Sequence, residues 1–168
     1  MTINYPKMYT KVYKNEVLAR FLKVVSAVSV FAFVVSVCLS LVATLIGSGL
    51  LAALQLAVIL GLPFAVLSLV RRCFDMPRPC QTFDFSELGI DDSDFKRGGS
   101  FPSRHVFSGF LISTALFPTL PVLGGLLLLL AAFLAMARVL LGMHFIRDVL
   151  VGASLGVASA LIGLFILG

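Results

Sequence analysis

The sequence predicts an all-α polytopic membrane helix bundle, with about five transmembrane helices and an N-terminal amphipathic interfacial helix. Of the 168 residues, 60% are hydrophobic and 12% are charged, and the mean hydropathy is +1.08. A soluble domain of this size does not carry so much apolar surface, so lipid is the solvent that the composition fits. The charges are also clustered, because 24–70, 106–137 and 149–168 carry none.

The charge-free stretches divide into five predicted helices, since a bilayer is crossed by about 20 apolar residues. The first stretch holds two helices hinged near "GSG" (47–49), the second holds two short ones, and the third holds one. We expect helices at roughly 22–46, 49–70, 103–119, 121–141 and 147–167. The last has a small-residue face in Gly152, Gly156 and Ala160, which predicts close packing within the bundle.

The N-terminal segment, 1–22, is expected to precede a single membrane-embedded domain over 23–168. An apolar stripe recurs every four residues along this segment, at Tyr5, Tyr9, Tyr13, Val17 and Phe21. The lysines fall off the stripe, so we expect an amphipathic helix that lies in the headgroup region. A disordered basic tail is the alternative.

The charged residues are predicted to share one side of the membrane. With five spans, the N-terminus, the 71–102 loop and the 138–148 turn lie together, and all 13 Lys and Arg residues fall in these segments or at their edges. Because Lys and Arg mark the cytoplasmic side, we expect an integral protein of the cell membrane whose charged side faces the cytoplasm.

Three patches that are distant in sequence converge on the charged side. They are "RRCFDMPRP" (71–79), "SFPSRHVFS" (100–108) and "ARVLLGMHFIRD" (137–148). Several arginines at one membrane boundary suit a doubly charged oxyanion, because guanidinium groups offer fixed, forked donors that stay protonated. Pro102-Ser103 predicts a helix start with Ser103 as N-cap, so free backbone N–H groups would face the same anion.

Both histidines of the chain, His105 and His144, lie in these patches. Phosphoryl transfer from an ester requires a nucleophile to attack phosphorus and an acid to protonate the departing oxygen, and a pair of imidazoles can supply both. Asp148 follows His144 by four residues, so its carboxylate can accept an imidazole N–H and leave the other nitrogen free to attack. Single charged residues at this boundary can also be explained without catalysis. Arg147 can be a snorkelling cation, and Asp148 can be a helix cap.

The spacing of these residues resembles the three-part signature of the type 2 phosphatidic acid phosphatases, the lipid phosphate phosphatase superfamily, in its small bacterial type. Arg71-x6-Arg78-Pro79, Pro102-Ser103-x-His105 and Arg138-x5-His144-x3-Asp148 match K-x6-RP, PSGH and SR-x5-H-x3-D. The resemblance covers roughly residues 65–168, and three spaced motifs in order make it specific.

The resemblance implies a role for each matching residue. His144 matches the nucleophile that forms a phosphohistidine, Asp148 the carboxylate that activates it, and His105 the acid that protonates the leaving alkoxide. The implied phosphate-binding residues are Arg71, Arg78, Ser103 and Arg138, with the backbone amides near Arg104. We expect the side chain of Arg104 to bind phosphate as well. The resemblance also implies that no metal or other cofactor is needed, since arginines neutralise the phosphate charge.

Three positions depart from the signature. Arg71 stands where the signature has lysine, Ala137 where it has serine, and Arg104 where it has glycine. Arg104 adds a cation beside the leaving-group site and removes the close backbone approach that glycine allows. It either reaches a second anionic group, such as a diphosphate or an acidic headgroup, or snorkels to lipid headgroups.

The predicted function is a membrane lipid phosphatase that hydrolyses a phosphomonoester or terminal phosphate. The expected partners are the bilayer and a lipid phosphate of the phosphatidate, phosphatidylglycerol phosphate or polyprenyl phosphate or diphosphate type, with no nucleic acid and the oligomeric state left open. The alternatives are a lipid phosphotransferase that uses the same phosphohistidine and a non-catalytic lipid-phosphate binding or transport bundle. The loop at 80–100 is expected to form a flap over the site, or otherwise a solvated connector.

Overall fold

The structure, a computed structural model, describes residues 4–74, 76–83 and 99–168. Every regular element within these ranges is a helix, which confirms the predicted all-α bundle. The helices are α1 (Tyr5–Tyr13), α2 (Glu16–Cys73), α3 (Pro79–Thr82), α4 (Arg104–Leu116), α5 (Pro121–Leu140) and α6 (Ile146–Leu167). Of these, α2, α5 and α6 are long and apolar enough to cross a membrane.

Helix α2 is bent at Gly49, where φ is 87° and ψ is 179°. Glycine adopts this backbone conformation readily because it has no Cβ. Phe33 and Val37 before the bend line the same groove as Leu60 and Phe64 after it. The helix therefore consists of two halves that lie side by side, as the hinge predicted at 47–49 requires.

The predicted N-terminal helix is wrong in its extent. Asn15 interrupts it, because its side chain accepts a hydrogen bond from the amide of Leu18 at 3.1 Å and so caps a new helix, α2. Val17 and Phe21, which prolong the apolar stripe in sequence, are 80% and 60% exposed, whereas Tyr9 is fully buried. α1 therefore packs against the protein, and its place in the headgroup region stays a prediction.

Helix α4 lies at the centre of the bundle, packed against α2, α5 and α6. Its contact with α6 is close because α6 presents glycines there. A Cβ added at Gly156 would stand 2.5 Å from the carbonyl oxygen of Phe107, and one at Gly152 would stand 2.8 Å from that of Ser103. The small-residue face predicted on the last helix is thus confirmed as a packing surface within the chain.

Large apolar side chains cover the outside of the bundle, as expected for a protein that is solvated by lipid. They include Phe31, Ile46, Leu51, Val122 and Phe165. The predicted spans 121–141 and 147–167 match α5 and α6 to within one residue, whereas the one predicted at 103–119 is the shorter α4. Because 13 residues rise only about 20 Å, α4 is shorter than a hydrocarbon core and the count of five spans stays a prediction.

Candidate active site

Hydrogen bonds from one side chain and two backbone amides bring the three sequence patches together on one side of the bundle. The guanidinium of Arg71 donates hydrogen bonds to the carbonyl oxygens of Gly99 and Pro102. The amide of Cys80 donates to the carbonyl of Gly142 at 3.3 Å. The amide of Ser103 donates to the carbonyl of Asp148 at 3.0 Å, which fixes the start of α4 beside the start of α6.

His144 is held by its Nδ1 atom. Its side chain is 2% exposed, and Nδ1 lies 2.8 Å from the carbonyl oxygen of Ser100. A carbonyl oxygen only accepts hydrogen bonds, so Nδ1 carries the hydrogen. The other ring nitrogen, Nε2, is left with its lone pair, which is the tautomer that a nucleophilic histidine requires.

Asp148 is fully buried beside this histidine. Its Oδ2 atom accepts hydrogen bonds from the hydroxyl of Ser100 and from the amide of Phe145, the latter at 3.0 Å. The distance from Oδ2 to Nδ1 of His144 is 3.8 Å, which is too long for the direct hydrogen bond that the sequence predicts. The carboxylate therefore acts on the imidazole as a neighbouring charge, and it also caps α6.

Ser100 is the residue of the site that sequence reasoning missed. It is fully buried, and its own amide donates to the carbonyl of Met76 at 3.0 Å. Its carbonyl holds His144 and its hydroxyl holds Asp148, so one residue joins the two. The sequence signals it only by its place next to the 'PSRH' stretch, since a backbone carbonyl leaves no trace in residue spacing.

Besides the acceptor Oδ1 of Asp148, two hydrogen-bond donors of the site lack a hydrogen-bond partner within the described part of the chain. They are the hydroxyl of Ser103 and Nε of Arg138, both fully buried. A buried donor without a partner costs about 1–3 kcal/mol, so both fit a site that an anion completes. Nη1 of Arg138 also contacts the sulfur of Met143 at 3.1 Å.

The N-terminus of α4 faces the same region. Ser103 occupies the N-cap position, as the sequence predicts. The amide of Phe107 donates the first hydrogen bond of the helix, to the carbonyl of Ser103 at 2.9 Å. The amides of Arg104 and His105 precede this bond, so they belong to the first turn, where backbone donors bind anions.

Burial sets the protonation of the groups that lie between the helices. It lowers the pKa of the His144 imidazole below its ordinary value of 6.5, with Arg78 acting in the same direction and Asp148 opposing. Burial likewise lowers the pKa of the Arg78 guanidinium, and the charge of Arg104 adds to this effect. The neutral form of His144 therefore predominates at pH 7.

The two halves of α2 and one face of α4 line an open cavity of about 600 Å³. Its walls are apolar, and its lining includes Val30, Phe33, Val34, Val37, Leu41, Ala57, Leu60 and Phe64. Arg104, His105 and Ser108 at the start of α4 supply its polar lining. The cavity thus suits an amphiphile whose charged end lies at the N-terminus of α4.

The environment and the polar contacts differ among Arg104, Arg78 and Arg147. Arg104 is exposed at the start of α4, and Nη1 of Arg78 donates to the carbonyl of Met143 at 3.2 Å. The sequence interpretation gives Arg147 no role in binding or catalysis, yet its Nε lies 3.5 Å from Oδ1 of Asp148. Most of the flap predicted over 80–100 falls on residues 84–98, which lie outside the described residues.

Comparison with known proteins gives one family. The family model of the PAP2 superfamily matches residues 52–167 of the chain. The matched region begins in the second half of α2 and contains α3 to α6, so the three sequence patches all fall within it. A comparison with curated proteins found no match.

Proposed function

The chain belongs to the PAP2 superfamily, whose members are phosphatases, and we propose that it is a metal-independent lipid phosphatase with His144 as nucleophile. The observation that carries the proposal is the hydrogen bond from Nδ1 of His144 to Ser100. It fixes the tautomer, while burial keeps the ring neutral. A neutral imidazole with a lone pair on Nε2 is the form that attacks phosphorus.

The proposed reaction has two steps. In the first, Nε2 of His144 forms a bond to phosphorus while the ester P–O bond breaks. His105, whose imidazolium form the charge of the bound phosphate favours, donates its proton to the departing alkoxide and becomes neutral. In the second, His105 takes a proton from water as the water oxygen attacks phosphorus. The P–N bond then breaks, which releases inorganic phosphate and restores His144.

The phosphate oxygens are proposed to bind where the buried donors lack partners. Ser103, Nε of Arg138 and the first-turn amides of α4 would supply hydrogen bonds, with Arg71 and Arg78 adding positive charge. Fixed donors and guanidinium groups in a site that excludes water stabilise the charge that develops on a transferring phosphoryl group. This arrangement supports a reaction without a metal ion.

The cavity between α2 and α4 supports a lipid as the substrate. Its apolar walls would hold a hydrocarbon chain, and Arg104 and His105 would meet the phosphate end. Arg104 is exposed beside His105, where its guanidinium would bind a second anionic group of the substrate, such as the outer phosphate of a diphosphate. A cytoplasmic site is proposed from the sequence alone, because with five spans the Lys and Arg residues are predicted to fall on the side that carries the site.

The function is tested with detergent-purified protein in EDTA, assayed against phosphatidate, phosphatidylglycerol phosphate, and polyprenyl phosphate and diphosphate. The wild type is expected to release inorganic phosphate from at least one of them, and His144→Ala is not. Binding without release would instead show a lipid-phosphate binding bundle. Transfer of labelled phosphate to a lipid or sugar hydroxyl would show a phosphotransferase, and a requirement for a divalent metal would overturn the mechanism.

A further inference from the structure

The segment between α5 and α6, residues 141–145, carries His144, and we refer to it as the His144 loop. Helix α1 packs against this loop, although α1 lies outside residues 52–167. The function proposed above does not use α1. Its contacts nevertheless include the part of the chain where His144 is held.

Three tyrosines of α1 meet the His144 loop, one from each turn of the helix. The hydroxyl of Tyr13 donates a hydrogen bond to the carbonyl of Leu141 at 3.1 Å. The ring of Tyr9 lies 3.7 Å from the point that a Cβ on Gly142 would occupy. The ring of Tyr5 stands edge-on to that of Phe145, with 5.4 Å between centroids. The four-residue spacing of the tyrosines therefore puts all three on the face of α1 that packs against the His144 loop.

Helix α3 completes the support of the loop. The carbonyl of Gly142 accepts from the amide of Cys80, and that of Met143 accepts from Arg78, the N-cap of α3. The third carbonyl, that of Leu141, accepts from Tyr13 of α1. Each of the three carbonyls that precede His144 is therefore bound by a group from α1 or from the start of α3. α1 and α3 also contact each other, since Tyr9 packs with Cys80.

The loop needs such support because it has no regular structure of its own. Gly142 has a φ of 71°, in the left-handed region, so the chain turns sharply two residues before His144. Loops open at lower free energy than the helices beside them unless other groups hold them. A displacement of about 1 Å at a reacting group costs on the order of 100-fold in rate.

We propose that α1 is a positioning element for His144, acting through Tyr13 and Tyr9 on the carbonyl and backbone of Leu141 and Gly142. The inference rests on the proposed function, because it assumes that His144 is the nucleophile. It assigns to the N-terminal helix a role in catalysis in addition to any contact that it makes with lipid. In this scheme Tyr13 and Tyr9 act through the backbone of the loop, so they are positioning residues.

The test compares Tyr13→Phe with Lys11→Ala, assayed on dioctanoyl phosphatidate in detergent micelles. Tyr13→Phe keeps the ring and loses only the hydroxyl, so kcat is expected to fall about fivefold, the effect of one hydrogen bond, with KM within about twofold. Lys11 is exposed on α1, so Lys11→Ala is expected to leave both constants and the melting temperature unchanged. A melting temperature of Tyr13→Phe close to wild type separates positioning from loss of fold.

A second readout requires no turnover. With carbon-labelled histidine, the imidazole signal of His144 is expected to shift or broaden in Tyr13→Phe and not in Lys11→Ala. An unchanged signal with an unchanged kcat would overturn the inference, as would a fall in kcat that only follows a lower melting temperature. If His144→Ala retains activity, the proposed function fails. If His144→Ala is inactive and Tyr13→Phe is not impaired, only the role of α1 fails.

Discussion

Ser100 stands between His144 and Asp148, because its carbonyl accepts the Nδ1 hydrogen of the histidine across 2.8 Å and its hydroxyl donates to the carboxylate. The His-x3-Asp spacing implies a direct pair, yet the two side chains are 3.8 Å apart at their nearest polar atoms. Asp148 thus orients Ser100, and Ser100 orients His144. We propose that the three residues act as a triad, which is joined through both the carbonyl and the hydroxyl of Ser100.

Replacing Ser100 by alanine tests this relationship. Ser100→Ala keeps the carbonyl that holds His144 and removes the hydroxyl that binds Asp148 Oδ2. Hydrogen bonds to charged groups contribute about 1.5–3 kcal/mol, so kcat is expected to fall roughly 10- to 100-fold. Steady-state release of inorganic phosphate measures the change.

The matched control for this variant is Ser113→Ala. Ser113 is also a fully buried serine, but its hydroxyl binds the carbonyl of Gly109 in its own helix at 2.6 Å. Its replacement is expected to leave kcat within about twofold. Equal losses in the two variants would show that any buried serine matters equally, and the role of Ser100 would be refuted.

The protonation of His144 gives a prediction about pH. Burial disfavours the imidazolium, so the pKa lies below the ordinary 6.5 and the neutral, nucleophilic ring persists into more acidic solution. Carbon-labelled histidine in His105→Gln reports on His144 alone, because the chain has only two histidines. We expect the signal to titrate with a midpoint below 6.5, and a midpoint at or above that value would contradict the structure.

The close packing of α4 on α6 predicts that Gly156→Ala is destabilising. The new methyl group would stand 2.5 Å from the carbonyl of Phe107, and backbone atoms cannot yield as a flexible side chain does. Overpacking of this kind costs about 1–3 kcal/mol, which corresponds to a fall of several degrees in melting temperature.

Gly47→Ala is the control for the packing variant. Nothing lies within 4 Å of the Cβ that it would add, and Gly47 lies within a helix. Alanine is favoured over glycine in helices, so this variant is expected to be as stable as wild type or slightly more so. A Gly156→Ala protein that melts as high as Gly47→Ala would show that α4 and α6 are not in close contact.

Arg104 predicts a substrate preference. If its guanidinium binds a second phosphate, Arg104→Gln is expected to raise KM about tenfold for a polyprenyl diphosphate and about twofold for the monophosphate. The diphosphate loses more because charge-assisted hydrogen bonds are stronger than neutral ones. Arg72→Gln removes an exposed arginine next to the site and is the control. An equal effect on both substrates would show instead that Arg104 interacts with lipid headgroups.

The sequence predicts the parts of the fold that depend on local pattern. Apolar runs and their glycine breaks locate α5, α6 and the bend at Gly49, because burial in lipid requires apolar side chains along the whole span. The spaced motifs locate the residues that the structure brings together at the site. Both signals reside in side-chain types, which a sequence shows directly.

What the sequence did not predict depends on backbone groups and on contacts between distant segments. The Ser100 carbonyl that holds His144 is a main-chain atom, which every residue possesses. The capping bond of Asn15 competes with continuation of the tyrosine stripe, and only the capped structure shows which of the two prevails. Tyr9 has the spacing of a lipid-facing residue, yet it is buried against the His144 loop.

The most direct measurement is to locate the phosphate on the enzyme during turnover. Protein mixed with labelled para-nitrophenyl phosphate, whose leaving group needs little protonation, is denatured in alkali and digested, and the labelled peptide is sequenced by mass spectrometry. In the wild type, the label is expected on His144. His105→Gln is expected to carry more label on His144, because hydrolysis of the intermediate lacks its base. His144→Ala is expected to carry none. A label on another residue, or full turnover by His144→Ala, would contradict the mechanism.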